Sequence, residues 1–236
     1  LSEMAAVLGE AFVENFAEAT RRAQGYLPSL GQFKAANFVM KSLAKGKEAA
    51  KRAFGLIYAA TGAGKTIAIQ FSVTSYLMAN LGKRKAIVGT NRERLAKRDA
   101  IDFQKTWNEL SKLDPRAKGL RAAYRVGKAW YIWDLEKQAF VVVDEAYVAA
   151  HSKKAMSADE FAYRAADALF AVSSEHVFFL KNPESGLSLA TDPSFNFKMS
   201  FFEDEADHGR VADRTECIVS GEEMEGAQEE LEAQRF

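Results

Sequence analysis

The chain is poor in cysteine, with Cys217 alone, and poor in proline, with four in 236 residues. One thiol makes no internal disulfide, and no Cys-x-x-Cys pair or Cys/His cluster stands at ligand spacing, which argues against a zinc site and for a reducing compartment. Long apolar runs are missing too. The longest, Ile67 to Leu81, is broken by Gln70, Ser72, Thr74, Ser75 and Asn80, whereas a membrane span needs roughly 20 clean residues. Leu1-Ser2-Glu3 carries none of the basic residues that open a secretory leader, so the chain is expected to stay in the cytoplasm, nucleoid or nucleus. An opening on Leu rather than Met also points to a cut chain. Net charge is absent, with 32 Lys and Arg against 32 Asp and Glu. What is present, 48% hydrophobic and 27% charged residues, is enough for one sizeable core and excludes collagen, a disulfide scaffold and a wholly disordered chain.

The zero net charge hides a division. From Phe201 onward twelve acids face three bases, a net of −9, so the rest carries +9. Leu81 to Lys128 alone holds fourteen bases and five acids. A patch of this sign suits a polyanion, or forms a solvated helix face. Residues 201–236, with few large apolar side chains, read as an acidic tail or the start of a linker.

Hydrophobic spacing predicts the elements. Met4, Leu8, Phe12 and Phe16 recur every fourth residue and form one helical stripe ending near Gly25. After Pro28 a second helix is expected over Ser29 to Leu43, burying Phe33, Phe38 and Met40, before a polar turn at Lys45-Gly46-Lys47-Glu48. Strands are expected at Ala53–Ala59, Lys85–Gly89, Gly119–Val126, Phe140–Val143 and His176–Leu180, and helices at Lys65–Asn80 and Asn91–Lys112. Strands alternating with helices predict an α/β fold, a mostly parallel sheet with helices on both faces in a single domain. The organisation expected is N-terminal helices over 1–50, a nucleotide-binding unit over 51–200 and the acidic tail.

Ala59-Ala60-Thr61-Gly62-Ala63-Gly64-Lys65-Thr66 fits [AG]xxxxGK[ST] between an expected strand and an expected helix. Phosphate binding needs this order, because glycines let backbone N–H groups turn inward and the helix N-terminus adds its positive dipole end. Lys65 would reach the β and γ phosphates of ATP, and the Thr66 hydroxyl would ligand Mg²⁺. Ala60, Thr61, Gly62, Ala63 and Gly64 would form the cradle. A magnesium site also needs an acid and a group to orient water. Phe140-Val141-Val142-Val143-Asp144-Glu145 offers both at the end of an expected buried strand, with Asp144 on the metal and Glu145 on the water. The plainer reading of Asp-Glu after an apolar strand is an exposed turn.

The two motifs together resemble the first RecA-like domain of superfamily 2 helicases and translocases. Ala59 to Thr66 is similar to motif I of that family, and Asp144-Glu145-Ala146-Tyr147 is similar to its DEAD/DEAH box, with tyrosine in fourth place. Gln32, about 30 residues upstream of the loop, resembles the glutamine that hydrogen-bonds adenine. Thr90-Asn91-Arg92-Glu93-Arg94 resembles motif Ia, which touches the nucleic-acid backbone. The likeness covers residues 26 to 150. It implies an ATP- and Mg²⁺-dependent hydrolase acting on DNA or RNA, with Thr90, Asn91, Arg92 and Arg94 against the polymer. Motif III has only Leu189-Ala190-Thr191-Asp192-Pro193 as a counterpart, and 92 residues follow Asp144, too few for the family's second RecA-like domain. That domain, with its arginine finger, would act in cis from a longer chain or in trans, and without it turnover would be slow. Two other readings stand beside this one: an ATP-binding switch module without helicase activity, and a ring-forming P-loop ATPase.

Arg94 and Arg98 share a helical face, with Lys97 beside them. Trp130, Tyr131 and Trp133 could stack on bases but more often such residues pack in a core. His151, His176 and His208 show no metal spacing, and Cys217 has no catalytic neighbour.

Overall fold

A computed structural model describes residues 8–49, 64–172 and 198–203. Helices α1 (Glu10–Gln24), α2 (Leu30–Ala49) and α3 (Lys65–Met78) precede strand β1 (Arg84–Thr90) and the long helix α4 (Glu93–Leu113). A 3₁₀ turn leads to β2 (Ala122–Val126), β3 (Ala129–Asp134) and β4 (Ala139–Val142). Helices α5 (Glu145–His151) and α6 (Ala158–Ala165) follow, then β5 (Ala168–Val172) and β6 (Lys198–Glu203).

Among the described residues six strands form one mixed sheet in the order β4-β3-β2-β5-β1-β6. β1 pairs in parallel with β5 on one side and β6 on the other, β2 pairs in parallel with β5, and the β2-β3-β4 meander is antiparallel. Alternation along the strands builds two cores. Ala86, Val88, Ala122, Tyr124, Ala168, Phe170 and Phe202 face α1 to α4, while Ile87, Ala123, Leu169 and Ala171 face α5 and α6. Helices therefore cover both faces, as the alternating pattern predicts, and burial on both sides explains why β1 and β5 read as continuous apolar runs.

The first-helix stripe is present: Leu8, Phe12 and Phe16 are buried, and α1 ends where Gly25, at φ 83°, donates its N–H to the Arg21 carbonyl. Phe12, Phe16 and Phe33 surround Phe71 of α3 with ring centroids 5.8, 4.5 and 4.8 Å away. The second helix departs from expectation. It continues through Lys45-Gly46-Lys47-Glu48 to Ala49, since lysine, glutamate and alanine favour helix and one glycine costs only about 1 kcal/mol. Phe38, expected inside, is 48% exposed.

Other differences lie in the sheet. Phe140 to Val143 was expected to be a buried strand, yet β4 ends the sheet among the described residues, with Val142 43% exposed. A four-residue run of apolar side chains looks the same in a half-covered hairpin strand as in a buried parallel one. β3, β5, α5 and α6 were not foreseen. β6 crosses the expected boundary at 200, so Phe201 to Glu203 belong to the sheet rather than to a tail. The expected strands at Ala53–Ala59 and His176–Leu180 lie outside the described residues.

Lys85, at the amino end of β1, is buried and donates to the carbonyls of Arg164 (2.9 Å) and Ala166, clamping the end of α6 to the sheet. Burial pulls its ammonium down to about 8 and pushes the neighbouring Asp167 carboxyl up.

Candidate nucleotide site

Only the short turn over residues 79–83 separates α3 from β1, so α3 runs back along β1 and its N-terminus points toward the carboxyl edge of the parallel strands. That edge is where open α/β sheets place ligands. Gly64 caps α3 without any side chain, in the left-handed region at φ 76° and ψ 42°, and its carbonyl accepts from the N–H of Ile67 at 3.1 Å. Lys65 and Thr66, the next two residues, are half-buried at the start of the helix. Ala60, Thr61, Gly62 and Ala63 lie outside the described residues.

Gln32 meets Gly64 from α2. The Gln32 side-chain oxygen accepts from the Ser29 N–H at 2.8 Å, while the Ser29 hydroxyl accepts from the Gln32 N–H at 3.3 Å, a reciprocal cap on the helix start. The other end of the amide, Nε2, donates to the Gly64 carbonyl at 3.2 Å. A Cβ on residue 64 would stand 2.0 Å from that nitrogen, so any larger residue there displaces the Gln32 amide, while the positive φ itself favours glycine. Sequence spacing thus brings Gln32 to the phosphate-loop motif.

The structure does not bring Asp144 and Glu145 there. β4 lies four strand steps from β1, about 19 Å at the usual ~4.8 Å per strand. α3 packs at the opposite end, where Tyr76 meets Phe202 of β6 edge-on at 5.9 Å and lies under the Arg84 guanidinium. A magnesium ion holds its oxygens at about 2.1 Å, so two residues sharing it stand within roughly 7 Å even when one binds through water. Asp144 has local work instead: its carboxylate accepts from the Tyr147 N–H at 2.7 Å and caps α5. Tyr147 is buried, stacks on His151 at 4.0 Å and donates its hydroxyl to Asp134 at 3.0 Å. Burial first, and then that bond, push the Tyr147 phenol up to about 12. Asp134 is held below the usual carboxylate range, chiefly by the Lys137 N–H. Glu145 is exposed in the first turn of α5.

A second acidic pair follows β6 in the sequence. Met199-Ser200-Phe201-Phe202-Glu203 runs directly into Asp204-Glu205-Ala206-Asp207. β6 is the parallel neighbour of β1 on the side covered by α3, and its chain leaves the sheet at the carboxyl edge, toward which the start of α3 points. Asp204, Glu205 and Asp207 themselves lie outside the described residues. The signal was in the sequence, a short apolar strand ending on acids, but it merged with the acidic composition that follows.

The expected nucleic-acid residues separate into two groups. Arg92, Arg94 and Lys97 are exposed where β1 hands over to α4. Thr90 is buried with its hydroxyl donating to the Arg92 carbonyl at 3.0 Å, and Asn91 is half-buried. Arg98 pairs with the buried Asp99 at 2.7 Å. Of the aromatic trio, Trp130 is core, fully buried and donating to Asp159 at 2.7 Å. Tyr131 and Trp133 are half-buried, stacked on Tyr124 at 4.9 Å and against Phe140 at 5.3 Å. His176, His208 and Cys217 lie outside the described residues. Among the described residues there is no metal-ligand cluster and no helix long and apolar enough to cross a membrane. Compared with family models, with curated proteins and with solved structures, the chain matches none of them.

Proposed function

We propose that this chain is an ATP- and Mg²⁺-dependent hydrolase of the P-loop class, a RecA-like motor domain of a superfamily 2 helicase or translocase working on DNA or RNA with a second RecA-like domain. The observation that carries the reading is Gly64. A left-handed glycine opens α3 at the carboxyl edge, in the sixth place of an A-x-x-x-x-G-K-T sequence, with the Gln32 amide packed where a Cβ would stand. Such a backbone fits a phosphate chain, which a helix N-terminus receives with its dipole. Lys65 binds the terminal phosphates and Thr66 the metal, which supplies charge neutralisation on the transferred phosphoryl group. For the acids the strand order favours Asp204 over Asp144 as metal ligand and Glu205 over Glu145 as the residue that orients water, because β6 adjoins β1 whereas β4 stands at the far end of the sheet. Exposed Arg92, Arg94 and Lys97 bind backbone phosphates. The compartment this implies is the cytoplasm, nucleoid or nucleus.

ATP turnover with and without single-stranded and duplex DNA and RNA tests this. Nucleic acid stimulates the wild-type chain, Lys65→Ala abolishes turnover, and Glu205→Gln lowers it by about 10² or more while ATP still binds. Glu145→Gln stays within twofold of wild type. Loss of turnover in Glu145→Gln with Glu205→Gln unaffected would return the role to the Asp144-Glu145 pair. Failure of the wild-type chain to bind ATP would end the proposal, and binding without turnover would leave the switch module.

A further inference from the structure

A glutamine that reads adenine must offer both ends of its amide to the base, the oxygen to the exocyclic amine and the nitrogen to a ring nitrogen. Gln32 holds both ends against its own chain: the oxygen accepts from the Ser29 N–H at 2.8 Å and the nitrogen donates to the Gly64 carbonyl at 3.2 Å. The orientation is fixed by those partners, because an N–H requires the oxygen and a carbonyl requires the nitrogen. Turning the amide toward a base would break the helix cap and the link to Gly64 together. The nitrogen also packs into the space a Cβ at residue 64 would occupy, so the contact is one of shape as well as of hydrogen bonding.

We infer that Gln32 is a positioning residue for the phosphate loop: it ties the start of α2 to Gly64 and supports every nucleoside triphosphate alike, leaving the identity of the base unread by this side chain. The inference rests on the nucleotide-binding reading above and adds a statement about selectivity. Ser29 belongs to the same device, because its hydroxyl and N–H fix the backbone and the amide of Gln32. Leu27 and Leu30, on either side of Pro28-Ser29, are largely exposed, at 62% and 59%, so the neighbouring surface offers a base apolar contact and no pattern of donors and acceptors from these two side chains.

The test is the affinity of the full chain, with Mg²⁺, for ATP, GTP and inorganic tripolyphosphate. Gln32→Met keeps length and bulk but removes both hydrogen-bonding ends. It is expected to weaken all three ligands by a common factor of about three to ten, the worth of one or two lost hydrogen bonds. Ser29→Ala, which leaves the Gln32 amide in place, weakens all three alike by a smaller factor. Loss of ATP affinity in Gln32→Met with GTP and tripolyphosphate unchanged would overturn the inference in favour of adenine reading, and so would equal affinity of variant and wild type for all three. A wild-type chain that binds none of the three would overturn the nucleotide reading itself, a result distinct from either.

Discussion

Single residues carry most of the argument about the site, and Tyr147 shows how. In the resemblance it stands in the fourth place of an acidic box, yet its ring is buried against His151 and its hydroxyl is bound to Asp134. It joins α5 to the β3–β4 hairpin, far from α3. Tyr147→Phe is therefore expected to lower stability by about 1 kcal/mol in urea unfolding, the ordinary worth of one hydrogen bond, and to leave ATP turnover within twofold. A large loss of turnover in a chain of unchanged stability would draw the site back to β4. Gly64 stands out in the sequence because its signal is local, a fixed spacing beside a helix start, whereas Gln32 entered only through the family resemblance, as a contact to adenine. In the sequence Asp144 reads as a metal ligand or part of an exposed turn, and its work as the cap of α5 goes unseen because no helix is expected after it.

At the scale of elements the sequence was harder to read, and the reason is physical. Periodicity says which side chains face a core but not which strand lies beside which. The run Phe140-Val141-Val142-Val143 looked like an inner strand and is an outer one, while Trp130, Tyr131 and Trp133 read as one aromatic group although the alternating strand they belong to divides them between core and half-buried positions. β6 escaped because its last residue, Glu203, opens the acidic run that follows. What fixes one element to another is often a polar side chain that no periodicity reveals. Gln104 of α4 accepts from the Ala122 N–H at 2.9 Å and donates to the Leu120 carbonyl at 3.1 Å, fastening the helix to the start of β2. Gln104→Leu would leave a buried N–H and a buried carbonyl unpaired, and should cost about 2 to 4 kcal/mol by urea unfolding. A cost below 0.5 kcal/mol would mean that the sheet holds this strand without the helix.

For the whole molecule the distribution of charge matters more than its sum. The segment that builds β1, α4 and β2 holds most of the positive excess, and Arg92, Arg94 and Lys97 bring part of it to the carboxyl edge beside the start of α3. If these side chains hold backbone phosphates, affinity for nucleic acid falls steeply between about 50 and 200 mM salt. Arg92→Ala combined with Arg94→Ala then weakens binding to all sequences equally and flattens the salt dependence by about two phosphate contacts, measurable by fluorescence anisotropy across a salt series. An unchanged salt slope would assign these residues to a solvated face.

The place of β6 also bears on how the chain reaches this form. The β2-β3-β4 meander joins neighbours in sequence and closes as soon as it is made, but β1 waits for both its partners: Ala86 to Thr90 for residues 168–172, and Arg84 to Gly89 for residues 198–203. During synthesis β1, an apolar strand, thus lacks a partner on one side until residues 198–203 have left the ribosome, and such long-range closure is slow. A nascent chain halted before Lys198 would leave the side of β1 that pairs with β6 as an open template for another chain, which makes β6 a safeguard against self-association.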